Sequence, residues 1–312
     1  MSNIFKKQET DQDDDVDWLE KAIVEEHIKF YDYSHFNNIQ EISSGSVGNI
    51  FRANWKDSDT VLVLKSSYKL TVQEIVNELK IQREVDFHAN ILRFYGISKL
   101  RTGLIHQMNK YLLVMEYADG GALHTYLRDN FHRLSWNDKY RLAIQLANAI
   151  SCIHNEDIVH GDLHSYNILV HQNNIKLTNF GLSRKMAEDT HYDDIFINTL
   201  GIIPYMDPQS LYSIYKLQDE SKPYELNKKS DIYSLGVILW QISSGYRPFY
   251  PEGIEYDIDL VKEIKKGQRE EIIENTPIKY SNLYTACWDD NPDKRPNIYE
   301  VILSLKEIEN SC

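Results

Sequence analysis

A run of small residues in the first half of the chain has the composition of a phosphate-binding loop. Small residues let backbone amides approach a phosphate without a Cβ in the way. A strand pattern follows directly, and Lys65 ends the next strand, where an ammonium group among Val and Leu is costly without an anionic partner. The run comprises Ile42, Ser43, Ser44, Gly45, Ser46, Val47, Gly48, Asn49 and Ile50. Taken alone, the run is more typical of an ordinary turn, and Lys65 of a strand-end lysine that reaches solvent.

A second group of polar residues lies in the other half of the chain. Asp162 and Asn167 stand five residues apart on a loop before a short apolar strand, a spacing that can aim a carboxylate and an amide oxygen into one cleft. A hairpin pattern then returns the chain to Asn179. The alternative is a polar turn in which Asp and Asn bond their own backbone, and composition alone leaves both interpretations open.

The elements that would position these residues change in type along the chain. The sequence pattern predicts short strands and one helix in the first half of the chain, and long helices in the second half. Together these elements indicate an α+β fold with a seam, the boundary between the two parts, near residues 116–121. The predicted strands cover residues 49–55, 61–65, 91–95 and 111–115, and the predicted helices cover 72–85, 140–154, 231–242 and 297–308.

The amino terminus is strongly acidic. Seven acids and no base lie between Glu9 and Glu20, so residues 1–16 are predicted to form a disordered tail. Residues 17–35 carry apolar side chains at spacings of three and four, which predicts an amphipathic helix with Asp17 as a possible cap. We favour a helix packed on its own domain over one that binds a partner.

Composition narrows the function classes. The 312 residues carry a formal net charge of −13, which disfavours nucleic acid and anionic membranes as partners, although a local basic cleft could still hold one small anion. Three widely spaced cysteines indicate neither a disulfide framework nor a zinc site, which fits a cytoplasmic protein. No apolar run is long enough to span a bilayer, and no signal peptide is predicted.

Taken together, these motifs resemble the protein kinase family over roughly residues 37–309, with details that look most like its tyrosine-kinase-like branch. The resemblance implies a bilobal fold, with a small β-rich N-lobe (36–116), a hinge (116–121) and a larger helical C-lobe (122–309). It also implies ATP and Mg²⁺ as cofactors and a protein substrate or signalling partner. In the family the small-residue loop covers the ATP phosphates, and adenine is held by flanking apolar residues and the hinge. By resemblance the nucleotide site also includes Lys65, Glu78, Met115, Glu116, Ala118 and Leu169.

The resemblance also assigns roles in the second half of the chain. Asp162 matches the aspartate that orients the substrate hydroxyl and accepts its proton, and Asn167 matches the metal-binding asparagine. Asp231 matches the buried-helix aspartate that braces the catalytic loop, and Arg295 matches the arginine that pairs with the family's Ala-Pro-Glu glutamate. His160 matches a packed structural residue rather than a ligand or base.

The sequence departs from the family pattern at several positions. Asn179 replaces the Asp of Asp-Phe-Gly, so the metal site would rest on Asn167 and Asn179, two neutral amides. Gly161 replaces the arginine that docks a phosphorylated activation loop, which makes a switch through Ser183, Thr190, Tyr192 or Thr199 less favourable. Residues 207–209 read Asp-Pro-Gln, so Arg295 is expected to form at best a neutral amide bond with Gln209. Ser43 replaces the first glycine of the phosphate-binding loop, and this change should have a mild effect because serine is also small. His164 and Ile202 replace the lysine and threonine of the substrate platform.

Two functions therefore remain open from the sequence. One is an ATP-dependent protein kinase that modifies Ser or Thr more readily than Tyr, with attenuated Mg²⁺-dependent turnover at a weakened metal site and Mn²⁺ as an alternative ion. The other is a pseudokinase, a signalling scaffold that still binds nucleotide. The retained lysine, glutamate and aspartate favour the first, and Asn179 favours the second.

Overall fold

A computed structural model describes residues 18–25, 27–44, 48–66, 72–100, 110–185, 200–214 and 224–311. The chain divides into two compact units. The first contains residues 1–87 and 92–118, and the second contains residues 88–91 and 119–312. The main division, after Ala118, falls inside the seam that the sequence predicts.

The first unit is built on a six-stranded sheet with the strand order β1-β5-β6-β4-β3-β2. All neighbouring pairs are antiparallel except β1 and β5, which are parallel. One face of the sheet buries an apolar cluster that includes Tyr31, Leu64 and Val114. The strands are β1 (Phe30–Tyr31), β2 (Phe36–Ser44), β3 (Asn49–Trp55), β4 (Val61–Ser66), β5 (Phe94–Leu100) and β6 (Lys110–Glu116).

The described residues of this unit include two α-helices. Helix α1 is described over residues 18–24, and α2 runs Val72–Val85, as the apolar periodicity predicts. The prediction of one helix over 17–35 is wrong in length, because Phe30 and Tyr31 pair with β5 as a strand. Leu19 and Ala22 are buried, so α1 packs on its own unit as expected. Asp17 and the acidic tail lie outside the described residues.

The fifth strand begins later than the sequence predicts. The apolar residues Ile91 and Leu92 predict a strand over 91–95, but β5 starts at Phe94. Ile91 is fully buried and forms an isolated bridge with Leu177 of the second unit, to which both belong. Ile91 and Leu92 are thus apolar because they are buried, and not because they form part of the six-stranded sheet.

The second unit is mostly helical, with short paired strands. Helix α6 (Lys228–Ser244) is buried along nearly its whole length, which explains its apolar sequence. It begins after the Asn227 cap and ends at Gly245, which adopts a left-handed conformation. The helices are α3 (Leu123–Asn130), α4 (Trp136–Asn155), α5 (Pro208–Ile214), α6 (Lys228–Ser244), α7 (Ile258–Lys265), α8 (Ile278–Cys287) and α9 (Ile298–Glu309). The strands are β7 (Ile158–Val159), β8 (Ile168–His171), β9 (Asn174–Leu177) and β10 (Arg184–Lys185).

The predicted helices 140–154, 231–242 and 297–308 all exist; the first two are longer by a few residues, and the third is shifted by one residue. None of the helices in the described parts of the chain has the length and apolarity that crossing a membrane requires.

Candidate functional site

Lys65 and Glu78 form an ion pair inside the first unit. Lys65 Nζ lies 2.7 Å from Glu78 Oε1, and Glu78 is 2% exposed. Strand β4 places the lysine between Ile50 of β3 and Leu113 of β6, and α2 supplies the glutamate. The costly ammonium on an apolar strand thus has the anionic partner that the sequence required.

The predicted phosphate-binding loop connects β2 and β3. Ser43 pairs with Ile50 and Ser44 with Asn49, and Ser44 Oγ donates to Asn49 Oδ1 at 3.0 Å. Asn49 N donates to Ser66 Oγ at 3.2 Å, which ties the base of the loop to β4. Ile42 lies exposed on β2 and Gly48 immediately precedes β3, whereas Gly45, Ser46 and Val47 lie outside the described residues. The structure therefore shows the stem of this loop.

The predicted adenine-binding residues of the first unit lie at the end of β6. Met115 is buried and pairs with Val63 of β4. Glu116 N donates to Arg93 O at 3.0 Å, and the Glu116 carboxylate accepts from Arg93 N at 3.2 Å. Ala118 is buried just beyond the strand. Leu169 lies half-buried on β8 of the second unit.

Asp231 of α6 holds the loop that carries Asp162. Its carboxylate accepts from His160 N at 2.9 Å and from Gly161 N at 3.0 Å, and it contacts His154 Nε2 at 2.9 Å. Asp231 is almost fully buried, so these bonds fix the backbone just before Asp162. The bracing role that the resemblance implied for Asp231 is confirmed by these contacts.

Asp162 is held by two side chains of its own loop. Asn167 Nδ2 donates to Asp162 Oδ2 at 2.8 Å and to Asp162 O at 2.9 Å, and His164 Nε2 lies 3.4 Å from Asp162 Oδ1. Burial alone would raise the pKa of Asp162, but the nearby imidazole of His164 and the hydrogen bond from Asn167 hold it below its ordinary value. The carboxylate is therefore ionised at neutral pH and able to accept a proton.

Asn179 joins the same network through its side-chain amide. The residue adopts a left-handed backbone conformation, with φ of 70°, and its Nδ2 donates to Asn167 Oδ1 at 3.1 Å and to Asp162 Oδ2 at 3.4 Å. Because Asn167 Nδ2 bonds Asp162, Oδ1 is the atom of Asn167 left to accept. The replacement of aspartate thus adds a hydrogen-bond donor as well as removing a charge.

This arrangement does not fit Mg²⁺. The ion prefers hard anionic oxygens in octahedral geometry, but residues 167 and 179 offer neutral amides, and the Asn167 oxygen already accepts an N–H from Asn179. The only carboxylate in the described network, Asp162, accepts N–H groups from both amides. In the described contacts, the oxygens of Asn167 and Asp162 therefore accept N–H groups of the two amides.

The arginine expected to lose its anionic partner has kept one. Arg295 Nη1 lies 2.6 Å from Asp207 Oδ2, and both side chains are fully buried. The expectation of a neutral bond with Gln209 is wrong, because Gln209 instead donates weakly to Asp290 O at 3.4 Å. Asp207 is two residues earlier than the family's glutamate, and its carboxylate reaches the same guanidinium.

Sequence reasoning also missed the contact between His164 and Asp162. The sequence predicts for His164 only a replacement in the substrate platform, yet its Nε2 lies 3.4 Å from Asp162 Oδ1. Within the described residues, its buried Nδ1 has no hydrogen-bond partner. Its position two residues after Asp162 was the available signal, since a turn folds such neighbours together. Ser183, named as a loop phosphorylation site, is buried with its Oγ bonded to His160 O at 3.0 Å. Thr190, Tyr192 and Thr199 lie outside the described residues.

Comparison with known proteins agrees with this geometry. Residues 36–305 match the family model described as protein tyrosine and serine/threonine kinase. A probable LIM domain-containing serine/threonine-protein kinase of Dictyostelium discoideum is 30% identical over 86% of this chain and 39% of its own length. The dual specificity protein kinase splA of the same organism is 28% identical over 89% of this chain and 12% of its own. Mitogen-activated protein kinase kinase kinase 7 of Drosophila melanogaster is 27% identical over 89% of this chain and 38% of its own.

The chain thus spans between about an eighth and two fifths of the length of these relatives. The match covers β2 to β10, α2 to α8 and most of α9, together with both groups of polar residues described above. The chain belongs to the protein tyrosine and serine/threonine kinase family.

Proposed function

We propose that this chain is an ATP-dependent protein kinase that transfers a phosphoryl group to a protein hydroxyl with attenuated turnover. The observation that carries the proposal is the 2.7 Å ion pair between Lys65 and the buried Glu78. A lysine fixed in this way presents a positive charge to phosphate oxygens without having to be reordered on binding. Such a contact supports a retained nucleotide site in the first unit.

The second unit supplies a group for the acceptor hydroxyl. Asp162 is ionised and held by Asn167, so it can orient the hydroxyl and take its proton during transfer. His164 keeps that carboxylate in place from its other oxygen. These contacts support transfer chemistry, since a proton acceptor with a fixed direction is retained.

Attenuation follows from Asn179. Kinases of this family generally use ATP with Mg²⁺, which neutralises charge on the phosphates when bound. The amide network described above does not fit that ion, so the stabilisation of developing charge is weakened. Turnover should suffer more than nucleotide binding, because charge develops in the transition state.

The class of acceptor follows from the relatives and not from this chain's own geometry. Of the three compared relatives, one is named as a serine/threonine-protein kinase, one as a dual specificity kinase and one as a mitogen-activated protein kinase kinase kinase. His164 and Ile202 differ from the usual substrate platform of Ser/Thr kinases. We therefore propose Ser or Thr as the main acceptor, with Tyr as a secondary one.

A phosphoryl-transfer assay tests the proposal. Wild type, Asp162→Ala and the matched exposed substitution Asp59→Ala are incubated with labelled ATP, generic Ser, Thr and Tyr substrates, and either Mg²⁺ or Mn²⁺. We expect slow transfer by wild type and Asp59→Ala, and at least a hundredfold less by Asp162→Ala. Wild type at the Asp162→Ala background with both metals would reject the kinase assignment.

The second candidate is a nucleotide-binding pseudokinase that acts as a signalling scaffold. The observation that favours it is the Asn179 Nδ2 to Asn167 Oδ1 hydrogen bond, which occupies an oxygen that a metal ion would need. This candidate predicts no transfer, but an increase in melting temperature on addition of ATP that Lys65→Ala removes and the exposed Lys266→Ala keeps. An absent increase in wild type would reject nucleotide binding for both candidates.

A further inference from the structure

We infer that helix α1 and strand β1, together called the amino-terminal brace, position the Lys65–Glu78 pair by holding α2 against the sheet. The brace lies before residues 36–305, the range matched by the family model. The inference rests on the proposed function only in treating that pair as part of the nucleotide site.

The brace is fastened to the sheet at two places. Glu20 Oε1 lies 2.6 Å from Lys99 Nζ of β5 and accepts from Tyr111 OH of β6 at 2.7 Å. Strand β1 adds a parallel edge to β5, and Ile97 N donates to Lys29 O at 3.0 Å. Both contacts join α1 and β1 to strands of the same sheet that carries Lys65.

Gly96 makes the close approach of the brace possible. A Cβ at Gly96 would lie 2.1 Å from Lys29 O, and its φ of 154° is one that other residues rarely adopt. The sequence of β5 is therefore adapted to the presence of the brace strand. This close fit argues that the brace is part of the unit and not an appendage.

The brace also reaches α2. Lys80 Nζ lies 5.0 Å from the ring centroid of Trp18, within the range of a cation–π contact. Lys80 is exposed on α2 two residues after the buried Glu78. Leu19 and Ala22, which follow Trp18 along α1, are buried and fix the helix that presents the indole.

These contacts place the brace between two elements whose separation determines the ion pair. Strand β4 carries Lys65 and α2 carries Glu78, and the brace contacts the sheet through Glu20 and β1 and α2 through Trp18. Loss of the Trp18 contact should let α2 open more often while the sheet stays intact. The brace residues are thus positioning residues, since they act on nucleotide through Glu78 and Lys65.

Hydrogen exchange of the full chain without nucleotide tests the inference. The variants are Trp18→Leu, Lys80→Met, their combination, and Trp18→Phe, which keeps an aromatic face. Val24→Ala is the matched control, because Val24 lies on the same helix with 80% of its surface exposed. We expect Trp18→Leu and Lys80→Met each to speed exchange in residues 72–85 about two- to fivefold, with no further gain in the combination.

The remaining outcomes decide the inference in either direction. Val24→Ala should leave the exchange rate of residues 72–85 unchanged, and Trp18→Phe should keep most of the wild-type protection. Across the variants, the dissociation constant for ADP should rise with the exchange rate. If exchange in residues 72–85 is unchanged in Trp18→Leu, even with a lower melting temperature, the inference that the brace holds α2 against the sheet is wrong. If wild type binds no nucleotide, the proposed function fails, while the exchange result still decides the brace.

Discussion

The guanidinium of Arg295 and the carboxylate of Asp207 form a two-point ion pair in the interior of the helical unit. Nη1 lies 2.6 Å from Oδ2 and Nη2 lies 3.2 Å from Oδ1, and both side chains have no solvent exposure. Tyr224 OH also donates to Asp207 at 3.1 Å, and Arg295 Nε donates to Asp289 O at 2.7 Å. The polar atoms of the pair are therefore paired on both sides, which is the condition for a buried charge pair to be tolerated.

Removal of one member of this pair should be strongly destabilising. Asp207→Ala leaves the Arg295 charge buried without an anion, and we expect the free energy of unfolding to fall by about 3–5 kcal/mol. The control Gln209→Ala removes only a long bond to Asp290 O and should cost under about 1 kcal/mol. Urea denaturation of both variants gives the comparison, and equal losses would show that Gln209 also supports Arg295.

The same pair illustrates what the sequence could and could not predict. The periodic apolar pattern of α2 predicts its bounds, and the apolar composition of residues 231–242 predicts a buried helix. Both predictions succeed because such patterns depend only on which side chains are buried. The path of the backbone around residue 208 determines which carboxylate reaches Arg295. The spacing of residues in the sequence does not predict that path. The Asn179 contact likewise depends on a left-handed backbone and one side-chain orientation.

Asn179→Asp should raise phosphoryl transfer. A carboxylate at this position cannot donate to Asn167 Oδ1, so that oxygen becomes available and a negative charge for Mg²⁺ returns. We expect turnover with Mg²⁺ to rise roughly 10²–10³-fold, the usual scale for one electrostatic stabiliser. Asn179→Ala is the matched control, since it removes the N–H donor without adding charge. An equal gain in Asn179→Ala would mean that the donor, and not the missing charge, limits the wild type.

Gly161 should tolerate a side chain poorly because of its backbone and not for lack of space. Its φ is 74°, whereas a Cβ there would lie 3.4 Å from Leu182 O and 3.6 Å from Leu226 Cδ1. A left-handed residue other than glycine costs roughly 1–2 kcal/mol. Gly161→Ala and Gly161→Arg should therefore lower the free energy of unfolding by this same amount, as measured by urea denaturation. A much larger loss in Gly161→Arg would show that the space is closed to a long side chain.

Deletion of residues 1–35 should destabilise the sheet-rich unit. Leu19, Ile28 and Tyr31 are buried, and Tyr31 belongs to the apolar cluster of the sheet. Burial of each such side chain contributes about 1.5–3 kcal/mol, so we expect a loss of at least roughly 3 kcal/mol and a clear drop in melting temperature. Deletion of residues 1–16 alone is the control and should leave the melting temperature unchanged. An unchanged value after the longer deletion, with a lost protein interaction, would instead favour a partner-docking role.

Acid should destabilise the protein partly through His160. Burial lowers the pKa of this imidazole, whose Nε2 donates to Thr178 O at 3.1 Å. Its Nδ1 accepts from Asp162 N at 3.3 Å, and this bond requires the neutral ring. An unfolded histidine titrates near pH 6.5. Below that pH the unfolded chain binds a proton that folded His160 refuses until its own lower pKa is reached, so stability falls as pH falls.

The measurement is the urea midpoint of wild type and His160→Gln at about pH 7.5 and about pH 5.5. The variant lacks the ring and should be less stable at the higher pH, but its stability should fall less between the two. His88 and His124 also have pKa values lowered by burial, so the pH dependence should shrink and not vanish. Equal pH dependence in both proteins would mean that folded His160 accepts a proton as readily as the unfolded chain does.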